Sequence, residues 1–298
     1  MKNCGNNIEY GRIVSQALRE DIGSGDVTTD FFVPGSCSAS ASFIAVREMV
    51  VCGLDIAAEV FRQVDGKISF RKLRREGEKV RRGAELARVS GKARSLLKGE
   101  RVAINFIGML SGIATQARAY ADKVKSYGVK VVDTRKTFPG LRSLQKYAVR
   151  TGGADNHRSC LDEMVLVKDN HLAACPKSGK HLYLSRAFST LRNRFPRGKM
   201  KIEIEVENLD DFRMALSLKP DIIMLDNMKP ADIKKAVRLR GKAGRRAPLL
   251  EVSGGITLSN IRAYAAAGAD IISVGALTHN VKSADISMEF IPAAVKGR

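Results

Sequence analysis

Between Arg135 and Lys168 the chain carries seven lysines and arginines (Arg135, Lys136, Arg142, Lys146, Arg150, Arg158 and Lys168) against three acids, with His157 beside Arg158 in GGADNHR. A guanidinium presents a planar fork to a carboxylate or phosphate, and a lysine adds a compact charge from another direction. Such a set suits a multiply charged anion. Arg142, Lys146 and Arg150 fall at helical spacing in GLRSLQKYAVRTGG and are expected on a solvated outer face. Arg135, Lys136, Arg158 and Lys168 stand instead at strand ends or in a glycine-flanked loop, where a charge more often serves a site.

Acids and small residues complete the chemistry. KIEIEVE alternates so that Glu203, Glu205 and Glu207 share one strand face. In an apolar core three carboxylates would lose too much hydration, so this face is expected to meet cations, a metal or solvent. Asp226 ends the next apolar run, DIIMLDN, and two carboxylates beside substrate phosphates suit Mg²⁺, which takes oxygen ligands and keeps waters. Ser253, Gly254 and Gly255 in EVSGGI, and Gly275 in SVGA, are small enough for a backbone to approach a phosphate closely. Phosphate sites after the last two strands recur in β/α barrels. His157, His171, His181 and His279 lack zinc-site spacing, so no zinc chemistry is expected.

These residues need strands and helices to position them. Six apolar runs (VKVVDTRK, EMVLVKDN, KIEIEVEN, DIIMLDN, PLLEVSGG and DIISVGA) each end in a polar residue or glycine, as successive parallel strands do. Helical patterns lie between the later ones: from Leu209, from Pro230, and over TLSNIRAYAAAG, where Thr257 can cap the start and Gly268 the end. Such alternation fits a β/α barrel or a doubly wound sheet, with all strand carboxyl ends on one face. The first 110 or so residues read as a separate α/β domain of short β-like stretches followed by a helix from about Ala93 through Met109. The expected division is 1–112 for the first domain, 113–280 for the catalytic one, and a return of 281–298 to the first.

A net charge of +20 favours anionic partners, while 6% aromatic residues and no Trp leave few stacking platforms for single-stranded nucleic acid. Two basic clusters, Arg71 to Arg82 and Lys234 to Arg246, read as solvated surface. Cys4, Cys37, Cys52, Cys160 and Cys175 form no CxxC pair, which suggests reduced thiols in a cytoplasmic protein. The opening MKNCGNNIEYG lacks a signal-peptide core, and no apolar run approaches a membrane span, so no membrane partner is expected.

Taken in order, EDIGSGDVTTD at 20–30, ERVAINF at 100, DTRKTFPGLR at 133, NHRSCLDEMVLVKDNH at 156, EIEVEN, LDNM, EVSGGI and ISVGALTH resemble the quinolinate phosphoribosyltransferase family over nearly the whole chain. The resemblance implies an N-terminal α/β sandwich domain and an incomplete, seven-stranded β/α barrel. It implies a homodimer, alone or within a higher oligomer, with active sites at the subunit interface. It also implies a reaction: the quinolinate nitrogen attacks C1 of phosphoribosyl pyrophosphate, pyrophosphate leaves, and the 2-carboxyl group departs as carbon dioxide, giving nicotinate mononucleotide. By matching position, Arg135, His157 and Arg158 belong to the quinolinate pocket, and Arg101 is the arginine that the partner subunit adds to it. Lys136 and Lys168 match lysines near both substrates, and Glu205 and Asp226 match acids that contact the ribose and its Mg²⁺. Ser253, Gly254 and Gly275 match the loops around the 5-phosphate. The departures, SCL after Arg158 and SADISME near the end, touch none of these positions. A same-fold paralogue of the molybdenum-transport-associated branch is disfavoured by the retention of Arg101, Arg135, His157, Arg158 and Lys168. A basic nucleic-acid-binding protein would leave the acidic face and the SGG loop unexplained.

Overall fold

The computed structural model describes residues 10–176, 180–241, 244 and 247–291, which form two compact units. Cys4 and the opening MKNCGNNIE, Lys242, Arg245 and Arg246 of the second basic cluster, and the tail from 292 onward lie outside the described residues.

The first unit takes the chain up to Arg118, Ser143–Gly153, and the chain from Asn280. Its helices are α1 (Tyr10–Ile22), α2 (Val27–Phe32), α3 (Leu54–Val64), most of α4 (Ala93–Val124) and all but the first residue of α5 (Arg142–Thr151). Its strands are β1 (Ser38–Ala45), β2 (Met49–Val50), β3 (Ser69–Lys72), β4 (Lys79–Val80), β5 (Glu85–Lys92) and the last strand among the described residues, β12 (Ile286–Ile291). An antiparallel sheet in the order β12-β1-β5-β3 turns Ala41, Phe43 and Ala45, spaced by two, to the buried side. Helix α3 answers with Leu54, Ala57 and Phe61, all fully buried. Phe43, Phe61 and Phe70 meet with ring centroids 5.8–6.0 Å apart, and each buried ring is worth about 1.5–3 kcal/mol. Glu76 accepts the backbone N–H groups of Gly53 and Leu54, satisfying the start of α3.

Helix α4 corrects the expected end near Met109, and it runs through position 112. Leu110, Ile113, Ala114, Ala117, Tyr120 and Val124 keep the buried stripe going at helical spacing. Gly112, inside this helix, serves a close approach: a Cβ there would lie 2.1 Å from the Lys282 carbonyl oxygen. A second correction concerns α5, where Lys146 is buried rather than solvated, Arg142 is half-buried against Thr137 and Ser159, and only Arg150 is exposed.

The second unit takes Ala119–Arg142 and Ala154–His279. Its strands are β6 (Lys130–Val132), β7 (Val165–Val167), β8 (Ile202–Val206), β9 (Ile222–Asp226), β10 (Leu249–Ser253) and β11 (Ile271–Ser273), all parallel in the order β6-β11-β10-β9-β8-β7. Helices α6 (Asp169–Ala174), α7 (Lys180–Arg194), α8 (Leu209–Ser217), α9 (Pro230–Gly241), α10 (Ile261–Ala266) and α11 (Ala276–His279) alternate with them. The unit is barrel-like. Six strands are regular, and the seventh position is held by one parallel bridge from Val132 to Asp155. Strands β8 and β9 are buried almost throughout, which is why their apolar runs are nearly continuous. Glu207 lies beyond the end of β8 and is exposed, so the acidic face holds two carboxylates and not three. Thr257 and Asn260 bond each other in a turn, and α10 begins only at Ile261.

Candidate active site

In a parallel sheet, residues paired in register point the same way, so one face can be followed across the strands. Glu205 pairs with Met224, Met224 with Glu251, and Glu251 with Ile271. Two residues further on, Asp226, Ser253 and Ser273 share that face. From Val132 and Asp155 the same step reaches Thr134 and His157, and from Leu166 it reaches Lys168. Apart from Val132, Asp155 and Ile271, these residues line one cavity of about 690 Å³ together with Arg135, Lys136, Arg158, Gly254, Gly255 and Gly275. Its size is that of a small-molecule site, at the carboxyl ends of the strands, where β/α barrels place their chemistry.

A buried proton-rich cluster lies beneath. His157 Nε2 is 3.2 Å from Glu203 Oε2 and 3.5 Å from Glu251 Oε2, and both carboxylates are shut off from solvent. Burial disfavours the charged ring, but hydrogen bonds to Glu203 and Glu251 outweigh it and raise the pKa of His157 to about 9. Burial, then the Glu251 charge, raises Glu203 to about 7. The Arg158 N–H donates to His157 Nδ1 at 2.9 Å, which leaves Nε2 as the ring nitrogen that carries its proton toward the two carboxylates. The three groups bring one nitrogen and two oxygen ligand atoms within 4.8 Å of one another, a set that a cation could also use. Asp133, fully buried, fixes this loop by accepting Asn156 Nδ2 at 2.6 Å and the His157 N–H at 2.9 Å.

Both groups bind protons more tightly in the folded protein than in the unfolded chain, whose ordinary values are 4.5 and 6.5. The stability they contribute is therefore full at low pH and is lost as pH rises through about 7 for Glu203 and about 9 for His157. Between pH 5 and 9 the Tm of the native chain should fall about 3 °C or more further than that of Glu203→Gln. Parallel Tm–pH curves for the two proteins would contradict this assignment.

Cations line the wall of the cleft. Arg158 is anchored by Nη1 to the Met164 carbonyl oxygen at 2.7 Å, yet its Nε, like that of Arg135, is buried with no acceptor among the described residues. Burial, then the charge of Arg135, lowers the pKa of Arg158. Lys168 Nζ donates to Glu205 Oε2 at 2.8 Å, and Lys136 is exposed beside Gly275. Opposite them, Gly254 holds φ +92°, and a Cβ there would meet Asn227 Oδ1 at 2.2 Å and Asn227 N at 2.9 Å. Gly254→Ala should therefore cost about 2 kcal/mol or more of stability and raise the KM of the phosphate-bearing substrate, as a denaturation curve and a kinetic titration would show. An unchanged Tm would contradict the close approach.

All twelve residues expected at the site, Arg101 apart, line this cavity. Arg101 is exposed on α4 in the first unit. Glu251 and Asp133 were missed. Glu251 had a readable signal: an acid in an otherwise apolar run, two residues before Ser253 and hence on the same strand face.

Fold and site together define an enzyme of the β/α-barrel class, with a cation-lined cleft at the carboxyl ends of its strands. Models of the quinolinate phosphoribosyl transferase N-terminal and C-terminal domains match residues 26–111 and 113–289. A probable nicotinate-nucleotide pyrophosphorylase [carboxylating] of Methanocaldococcus jannaschii is 40% identical over 94% of this chain and 96% of its own length. The corresponding enzyme of Mycobacterium leprae is 39% identical over 93% and 95%. Among solved structures, the nicotinate-nucleotide pyrophosphorylase of Francisella tularensis superposes with a TM-score of 0.85 at 38% identity, covering 95% of this chain and 96% of that one. The chain belongs to the quinolinate phosphoribosyltransferase family, and it is a decarboxylating phosphoribosyltransferase.

Proposed function

We propose that the cleft of the second unit holds quinolinate and phosphoribosyl pyrophosphate side by side and yields nicotinate mononucleotide, pyrophosphate and carbon dioxide. The observation that carries this reading is the guanidinium pair. Arg135 and Arg158 repel each other at the wall, each with an idle buried N–H, and a dicarboxylate relieves both defects at once. Arg135, His157 and Arg158 grip the pyridine diacid and aim its nitrogen at C1 of the ribose, which supplies the entropic part of catalysis.

As pyrophosphate departs, positive charge grows on the ribose ring. Glu205 and Asp226, on neighbouring strands of the same face, stabilise it, while Lys136 and Lys168 neutralise the leaving group. Ser253, Gly254, Gly255 and Gly275 seat the 5-phosphate against backbone. Loss of the 2-carboxyl group leaves its electron pair on the ring carbon beside the quaternised nitrogen, and that carbon then takes up a proton.

Glu205 and Asp226 fit Mg²⁺, an ion usually held by one or two carboxylates with waters and substrate phosphates. When bound it supplies charge neutralisation of the pyrophosphate. The half-buried Asp226 suits its retained waters better than Glu203 or Glu251, which have almost no exposure.

Arg101 comes from the partner subunit in this reading. Val27, Phe31 and Phe32 on α2 are 71–84% exposed, an apolar surface of the kind that association covers. Arg101→Ala and Arg158→Ala should each inactivate a homodimer, whereas mixed subunits should regain about a quarter of native activity through one intact site per hybrid. No recovery on mixing would contradict sharing. Cys37, Cys52 and Cys175 form no disulfide among the described residues, and no described helix is long and apolar enough to cross a membrane. A reducing, cytoplasmic setting suits these thiols.

The test is direct. Purified protein given quinolinate, phosphoribosyl pyrophosphate and Mg²⁺ should release nicotinate mononucleotide and carbon dioxide in equal amounts. Absence of product, or equal use of nicotinate, would contradict the reading.

A further inference from the structure

A second cavity, of about 970 Å³, lies in the second unit between α7, the turn from α8 into β9, and Pro248 just before β10. Turns that lead from helices into parallel strands lie at the strand amino ends, whereas the catalytic cleft is built at the carboxyl ends. Strands β9 and β10 therefore separate the two cavities by roughly 15 Å, at about 3.3 Å per residue.

The wall of this cavity carries Arg192, Arg197 and Lys219 and no carboxylate among its lining residues. Lys219 holds a left-handed φ of +54°, and its carbonyl oxygen accepts from Arg192 Nη2 at 3.4 Å and from Arg197 Nη2 at 3.2 Å. One strained backbone position thus gathers two like charges. Arg192 Nη2 also donates to Asp221 Oδ2 at 2.8 Å, and that same oxygen accepts the Ile202 N–H at 2.7 Å. A single carboxylate already engaged at the start of β8 does not balance three cations. Arg192 is only 19% exposed, and its Nε and Nη1 are buried without an acceptor among the described residues, leaving three N–H bonds idle. Charged donors withdrawn from water in this way call for an anion. Phe188, Leu218 and Pro248, all buried, add an apolar wall.

We propose that this cavity is a second ligand site, for a small organic anion whose phosphate or carboxylate sits between Arg192 and Arg197 and whose apolar body packs on Phe188, Leu218 and Pro248. Independently of the reading of the catalytic cleft, the site would account for part of the positive charge that a single anionic pocket does not require.

Methyl NMR of the full chain, labelled at leucine, tests it by titration with phenyl phosphate, benzoate and inorganic phosphate. Leu216 and Leu218 report this cavity, and Leu166 reports the catalytic cleft. Phenyl phosphate or benzoate should shift the Leu216 and Leu218 methyls saturably and more tightly than inorganic phosphate, and the tighter of the two names the anionic group. Arg192→Gln should weaken binding about tenfold or more, and Arg197→Glu, at an exposed side chain that leaves the fold intact, should do the same. Saturable shifts confined to Leu166, or shifts at Leu216 and Leu218 that Arg197→Glu leaves unchanged, would overturn the proposal.

Discussion

Arg158→Ala should lower kcat/KM for quinolinate between about a hundredfold and ten-thousandfold, the loss of two charge-assisted hydrogen bonds at about 1.5–3 kcal/mol each. The same change should leave Tm unaltered or slightly higher. Asp133 still holds Asn156 and His157, so the loop keeps its shape, and the repulsion between Arg158 and Arg135 disappears. Opposite signs for activity and stability separate a binding group from a structural one. Arg158→Lys should rescue little, because a point charge cannot reproduce the fork or reach the Met164 carbonyl oxygen in the same geometry. Steady-state kinetics and a thermal melt on the same preparations provide both readouts. A fall in Tm that matches the loss of activity would assign Arg158 to the fold instead.

Glu205→Gln and Asp226→Asn should each reduce kcat by about a hundredfold to a thousandfold while leaving the KM for quinolinate near its native value. Both changes keep the shape of the wall and remove charge where the ribose becomes cationic. Glu205→Gln also deprives Lys168 of its partner at 2.8 Å, so the lysine becomes free to bind anions, and inhibition by free pyrophosphate should strengthen. Asp226→Asn should raise the Mg²⁺ concentration needed for half-maximal rate. A rise in the KM for quinolinate with kcat unchanged would move these acids out of the catalytic step and into substrate binding.

Much of this was legible from residue order alone, for identifiable reasons. Strands β8 and β9 announced themselves because burial on both faces makes their apolar runs nearly continuous, and the polar residues that end those runs are the ones that line the cleft. Other features depend on contacts distant in sequence. Gly108 and Gly112 look like helix breakers until the segment around Lys282 and Ala284 is seen to pass over them. Lys146 reads as a surface cation on an amphipathic helix, but the helix is covered on that side too. Asp133 was hidden because a lone acid after a short strand has no partner visible in sequence, and Glu251, legible as an acid on the Ser253 face, shows no partner there either. Their roles emerge only when His157 is brought to both, from 24 residues away for Asp133 and from another strand for Glu251. The reduction of the seventh strand to one bridge is likewise a matter of how β6 meets Asp155, which composition does not encode.

Two half-buried guanidiniums, each with a buried Nε, are proposed to recognise together two carboxylates on one ring. Calorimetric titration of quinolinate and of nicotinate, which lacks the second carboxylate, into the native chain and into Arg158→Ala tests this most directly. The native chain should bind quinolinate at least about a hundredfold more tightly than nicotinate, and the variant should lose most of that preference while retaining weak affinity for both. Equal affinity for the two acids in the native chain, or a preference that survives the loss of Arg158, would contradict it.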